Sequence, residues 1–288
     1  MIDKEEQIAI SRFIKNMPPL PVSVSKILEV TKNANVDAKE LNNIISLDPV
    51  LTGRVLKLIN SAYYSLTNQV TSIVRAIVML GINTVKNLLL STAVLSTVND
   101  KKNFSSLDTD AFWRHSICVG IMAKSFALKE NVDPKFVEEY FVAGLLHDIG
   151  KIPLNSVVSE NYLKVMTYSR QNKLPLYKVE KKYFGFDHCD LGIRIADLWQ
   201  LNKNLSCAIG YHHRLDSVEP EYKKFAATIA LADIVTNKLE IGFSGNKNPE
   251  NLEEEIFKIT GLTWDDVDSA EDNVEEGIKK AEVFLKVS

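Results

Sequence analysis

Helix signals run the length of this chain, and strand signals do not. No run alternates apolar and polar residues between two-residue glycine turns, the pattern that marks a half-buried hairpin. Helix starts recur instead. Asp37-x-x-Glu40 has the spacing of a capping box, and Asp48-Pro49 and Asp133-Pro134 each place a capping carboxylate before a proline at the first helical position. Asn248-Pro249 repeats that device near the C-terminus. Val22, Val24, Ile27, Leu28 and Val30 mostly suit one buried helical face, and the apolar run 73–80 reads as a buried helix stopped by Gly81. A second helix, from about residue 83 to 98, follows with hardly any linker. The expected fold class is all-α.

The polar segment Asn99-Asp100-Lys101-Lys102-Asn103 separates two apolar helical blocks. It predicts an N-terminal helical lobe over 1–103, a second lobe over 104–245 and an acidic C-terminal helical extension over 246–288. With so short a link, the lobes are expected to pack together rather than move independently.

Charge narrows the range of partners. Residues 250–288 hold twelve acidic and four basic side chains, a net of −8, which leaves +5 for residues 1–249 and −3 overall. The acidic end reads as a solvated helical face. No concentrated basic stripe is present, so direct nucleic-acid binding is not expected. No apolar run approaches the roughly 18 residues of a membrane span, and the charged start Met1-Ile2-Asp3-Lys4-Glu5-Glu6 is unlike a secretory signal. Cys118, Cys189 and Cys207 lack CxxC spacing and cannot all pair. Reduced thiols and a cytoplasmic location are therefore expected.

The chemistry concentrates in one segment. All five histidines (His115, His147, His188, His212 and His213) lie within about a hundred residues, and the first hundred residues have none. Taken singly, each would more often be structural than a ligand; the arrangement changes that. In Phe141-Val142-Ala143-Gly144-Leu145-Leu146-His147-Asp148-Ile149-Gly150-Lys151 an apolar helix ends in His-Asp, with Gly150 placed to terminate it. A buried His beside a buried Asp is costly unless charge is compensated, and a divalent metal compensates it directly. Adjacent helical residues point about 100° apart. The pair can therefore grip one ion at its edge, or the carboxylate can bridge two. Lys151, just past the helix end, is suitably typed to meet a phosphate oxygen.

Other candidates extend the set. His115 lies early in a long helix, His188 follows Phe186-Asp187 at a helix start, and His212-His213 closes an apolar stretch. Asp233 sits in Ile229-Ala230-Leu231-Ala232-Asp233-Ile234-Val235, where an unpaired carboxylate would be costly. Mixed imidazole and carboxylate ligands suit Fe, Mn, Zn, Ni or Co better than Ca or Mg. Two such ions sharing a carboxylate would activate a water and stabilise the leaving oxygen of a phosphoester.

In order and local context, His115, His147-Asp148 and Asp233 resemble the H…HD…D pattern of the HD superfamily, and His147-Asp148-Ile149-Gly150-Lys151 matches its HDIGK variant. The N-terminal part resembles the HDOD family, a signalling branch of that superfamily. The likeness lies in Leu20-Pro21, Ile45-Ser46-Leu47-Asp48-Pro49-Val50-Leu51, Val55-Leu56-Lys57-Leu58-Ile59-Asn60-Ser61-Ala62 and the run 73–81, and covers roughly residues 15–240. It implies an N-terminal helical bundle packed on an HD-like helical lobe, and a role in bacterial signal transduction as an output or interaction module. Many HDOD proteins have lost part of the metal pattern; this chain keeps every HD position. His188 and His212-His213 also match extra ligands of the HD-GYP phosphodiesterases. Departures are Arg214-Leu215-Asp216-Ser217 after His213, with no Glu and no Gly-Tyr-Pro, and Ala111 where a third-metal Glu would stand.

Two functions follow from the resemblance. The first is a regulatory HDOD protein with a structural or sensory metal site, acting through a signalling protein partner or a small phosphorylated ligand. The second is a metal-dependent phosphohydrolase or phosphodiesterase on a nucleotide-type phosphoester. There His115, His147, Asp148, His188, His212, His213 and Asp233 would hold a divalent, dinuclear centre, and Asp148 and Lys151 would serve catalysis.

Overall fold

The computed structural model describes residues 4–33, 36–98, 105–249, 252–272 and 274–287. Among these residues every regular element is a helix. The N-terminal part comprises α1 (Lys4–Lys15), α2 (Val22–Val30), α3 (Ala38–Ile45), α4 (Pro49–Ile59), α5 (Ile73–Leu80) and α6 (Ile82–Val98). The middle holds α7 (Thr109–Lys129), α8 (Pro134–Leu146), α9 (Lys151–Val157), α10 (Ser159–Gln171), α11 (Leu176–Phe184), α12 (His188–Leu198), α13 (Lys203–Tyr211) and α14 (Pro220–Lys238). The end holds α15 (Glu253–Thr260), α16 (Trp264–Glu271), α17 (Val274–Ala281) and α18 (Val283–Val287). The expected boundary segment, 99–103, lies outside the described residues.

Local chemistry sets most of these ends. Asp37, Asp48 and Asp133 each accept a backbone N–H of the first helical turn, from Glu40, Leu51 and Lys135 at 2.7, 2.9 and 3.1 Å. Asn248 does not repeat the device. Helix α15 begins only at Glu253, behind Leu252, and Asn248 spends its amide on the Ser169 carbonyl at 3.3 Å, tying a loop to α10. Val22 opens α2 but is 83% exposed, because Val24 and Ile27 take the buried face.

Two central elements organise the packing. Helix α6 is buried on most sides and contacts α2, α4, α5 and, across to the next part of the chain, α8. Helices α7 and α8 lie against each other along their length. Gly120 and Gly144 permit that approach, since a Cβ on Gly144 would fall 2.6 Å from the Gly120 backbone. Side by side, these helices bring the middle of α7 to the end of α8.

The acidic end has a solvated face and a buried one. Helices α16 and α17 pack on α7, while α18 reaches back to α4 and α6. Val267, Ala270, Val274, Ile278, Ala281 and Phe284 are buried beneath the charged surface. Phe284 meets Tyr63 edge-on at 5.2 Å and Phe141 at 4.8 Å between ring centres, so one apolar core joins the chain's two ends.

Candidate metal centre

Six of the seven predicted ligands converge at 0–5% side-chain exposure, and the seventh, His213, stands at their edge. Helix α7 supplies His115, the end of α8 supplies His147 and Asp148, and the start of α12 supplies His188. His212 caps α13, and Asp233 comes from α14.

Gly150 has a different duty from the one expected of it. Its φ of −67° is ordinary, and it opens α9 rather than ending α8 in a left-handed turn. A Cβ there would lie 1.8 Å from the His188 carbonyl oxygen. Only glycine lets the chain after Asp148 press against the start of α12, which brings His188 to Asp148.

Three imidazoles are held in one tautomer by the same device. The Nδ1 of His147 donates to the Gly144 carbonyl at 2.7 Å, and that of His212 to the Ala208 carbonyl at 2.9 Å. The Nδ1 of His188 donates to Glu180 Oε2 at 2.6 Å. Because each partner accepts the Nδ1 proton, Nε2 is the nitrogen turned inward on all three rings. The carboxylates beside His147 and His188 raise those two rings, so a metal ion would bind there by displacing the Nε2 proton.

Asp148 stands between two groups of these nitrogens. Its Oδ2 lies 3.3 Å from His147 Nε2 and 3.9 Å from His115 Nε2. Its Oδ1 faces His188 Nε2 at 3.4 Å and His212 Nε2 at 3.9 Å. Asp233 Oδ1 closes the first group at 3.1 Å from His115 and 3.5 Å from His147, and accepts from Asn237 at 2.7 Å. Three buried atoms at the centre (His147 Nε2, His188 Nε2 and Asp148 Oδ1) have no hydrogen-bond partner among the described residues. A buried polar atom left unpaired costs about 1–3 kcal/mol; three of them in two adjoining ligand groups fit occupancy by divalent cations.

The electrostatics are those of a site built for positive charge. Burial alone would raise the Asp148 carboxyl, but His147, Lys151 and His188 together hold it well below the usual range. Burial likewise opposes ionisation of Asp233, and hydrogen bonds and charges from His115 and His147 overcome it. Burial pulls His147 down, yet Asp148 and Asp233 outweigh it and lift it to about 9. Burial, then the charges of His147 and His188, drive His212 down to about 3.

Lys151 lies inside the centre. It is 1% exposed, and its ammonium reaches Asp148 Oδ2 at 2.6 Å and Ser244 Oγ at 3.2 Å. The loop after α14 brings Ser244 there, pinned by Phe243 N–H donating to the Ala111 carbonyl at 2.9 Å.

Sequence reasoning missed several contributors. Glu180 holds His188 and also accepts from Tyr162 at 2.9 Å. The available signal was its place among Leu176, Val179 and Phe184 on the buried face of α11. Asn237 and Ser244 carried no such signal, while Tyr177 stacks on His213 at 4.8 Å.

The HDOD domain pattern matches residues 17–215, more than half of the chain and all of the candidate ligands except Asp233. The chain belongs to the HDOD family. Its fold is similar to that of an HDOD domain protein of unknown function from Geobacter sulfurreducens, 25% identical over 98% of each chain with a TM-score of 0.78. A provisionally named phosphohydrolase from Shewanella amazonensis SB2B shares the fold at 24% identity, over 97% of this chain and 98% of that one, with a TM-score of 0.72. Among curated proteins, an uncharacterised protein of Treponema pallidum (strain Nichols) is 25% identical over 81% of this chain and 44% of its own length. Ribonuclease Y of Mycoplasmoides gallisepticum is 29% identical over 73% of this chain and 32% of its own length. This HDOD chain thus spans less than half the length of either curated relative. Among its described residues, no helix is long and apolar enough to cross a membrane.

Proposed function

We propose that this HDOD protein is a signal-transduction module whose dinuclear metal centre is structural or sensory. One observation carries the reading: six of the seven ligands are closed in, with His213 partly exposed at the edge. His115, His147, Asp148, His188 and His212 are each 1% exposed, and Lys151, the expected phosphate contact, is equally buried with its ammonium on Asp148. Structural sites are closed, whereas catalytic ones keep an open position for water and substrate. His115, His147, Asp148 and Asp233 would hold one ion, and His188, His212 and His213 a second, with Asp148 between them. Binding would replace three unpaired buried atoms with bonds to the metal, so occupancy would stiffen the junction of α7, α8, α12 and α14.

The signal would pass to a protein partner or come from a small phosphorylated ligand. A cavity of about 680 Å³ beside α2, α6, α8 and α13 offers room for the latter: Lys32, Lys86, Phe136 and Tyr222 line it together with Glu139, while Lys135 and Lys203 at its wall are ion-paired with Asp133 and Glu219.

The second reading, a phosphohydrolase, draws on the two oxygens of Asp148 facing separate histidine groups. Two ions there would supply Lewis-acid activation of a phosphoester and of its attacking water. For Lys151 to meet a phosphoryl oxygen it would have to leave Asp148, and the centre would have to open.

The test is turnover by the metal-loaded protein of bis(p-nitrophenyl) phosphate, cyclic dinucleotides and short RNA, beside Asp148→Ala. The regulatory reading predicts no turnover above the variant, with metal removal lowering thermal stability. Turnover abolished by Asp148→Ala would contradict it and establish the hydrolase.

A further inference from the structure

Cys189 follows His188 in the first turn of α12 and is fully buried. A free buried cysteine is ordinarily a small apolar filler, and the surroundings of Cys189 argue otherwise. Its sulfur lies 3.9 Å from both ring nitrogens of His212. The ligating atoms of His188, Cys189, His212 and His213 all fall within 4.8 Å of one another. In a tetrahedral site with metal–nitrogen bonds of about 2.0–2.1 Å and a metal–sulfur bond of about 2.3 Å, the nitrogen–sulfur edge is roughly 3.5 Å. The Cys189–His212 edge is therefore within about half an ångström of that value, and the remaining edges, at up to 4.8 Å, would contract by roughly an ångström to close around an ion. His188 Nε2, buried and without a hydrogen-bond partner among the described residues, is the second indication.

We propose that Cys189 is a metal ligand, and that the second ion position is a mixed thiolate–imidazole site formed by His188, Cys189, His212 and His213. This inference rests on the proposed metal centre and specifies its chemistry. Thiolate beside imidazole selects Zn²⁺ or Fe²⁺ over the harder Mn²⁺ or Mg²⁺. As the sulfur–metal bond forms, the thiol proton leaves to solvent, so uptake of this ion releases one proton more than an all-imidazole site would. The other cysteines serve as internal controls: Cys118 accepts a hydrogen bond from Thr236 at 3.4 Å, and Cys207 lies elsewhere on α13.

The test strips the full chain with a chelator and reloads it with Co²⁺. Cobalt content and the near-ultraviolet absorption are then measured for the wild type, Cys189→Ser, Cys189→Ala, Cys118→Ser and Cys207→Ser. The expected result is a sulfur-to-cobalt charge-transfer band in the wild type and in both control variants, lost in both Cys189 variants. A wild type that takes up cobalt without that band overturns the inference while leaving the metal centre standing, and needs no variant to fold. A band that survives Cys189→Ser overturns it equally. A wild type that takes up no cobalt overturns the metal centre itself, and this inference with it.

Discussion

Glu180 holds His188 twice through a single oxygen. Its Oε2 accepts the His188 backbone N–H at 2.9 Å and the ring Nδ1–H at 2.6 Å. The bond fixes which ring nitrogen carries the proton and aims the other at Asp148. Burial would raise the Glu180 carboxyl, but the His188 charge and hydrogen bond hold it below its ordinary value. A carboxylate behind a metal-binding histidine also raises the basicity of the ring.

Replacing Glu180 by Gln keeps the shape and removes that charge. The expected result is a loss of metal affinity of about 10–100-fold, with helix content unchanged. Competition against a chromophoric chelator measures it, and an unaltered affinity would remove Glu180 from the account.

The Asp148–Lys151 pair is buried on both sides, at 1% and 2% side-chain exposure. Asp148→Ala leaves the Lys151 ammonium with Ser244 alone, and breaking such a pair costs about 3–5 kcal/mol. Urea unfolding in chelator should show that loss. Lys151→Met in the same background should restore part of it, because the stranded charge is then gone.

The metal-free chain should be most stable near the ordinary histidine pKa, because its histidines pull in opposite directions, His147 and His188 being raised and His212 and His213 lowered. His147 is raised from 6.5 to about 9, so its contribution is complete below 6.5 and is lost as pH rises through 9. His212 is lowered from 6.5 to about 3; as pH falls between these values the unfolded chain binds a proton that the folded chain refuses, and stability falls. Urea midpoints in chelator at about pH 5, 6.5 and 8.5 should therefore pass through a maximum. A metal ion must displace the His147 proton, so apparent affinity should rise over the alkaline half of that range.

Phe284 stands close to the end of the chain and is only 1% exposed. Phe284→Ala should cost about 3–5 kcal/mol, the range for emptying a core aromatic site. A loss below about 1 kcal/mol would show that α18 is not part of the cooperative core.

Much of this was legible in the sequence, for identifiable reasons. Helix α2 runs over the residues its apolar pattern proposed, and the Asp48-Pro49 and Asp133-Pro134 caps work because each carboxylate meets an N–H only two or three residues away. The candidate ligands could be found because His and Asp are conspicuous in apolar surroundings. Glu180 was hidden because Lys178-Val179-Glu180-Lys181-Lys182 reads as a solvated charged turn until α11 docks. The role of Gly150 and the placing of Ser244 depend on contacts 38 and 93 residues away in the chain, beyond any local pattern. Asn248 shows the opposite failure, a correct local signal used for a tertiary tie.

The most direct test of the central claim is elemental analysis of the purified chain beside Asp148→Ala. The account predicts close to two transition-metal ions per chain, the stoichiometry of a carboxylate-bridged pair, and their loss in the variant. Metal content near zero, even after anaerobic reconstitution with Fe²⁺ or Mn²⁺, would contradict it.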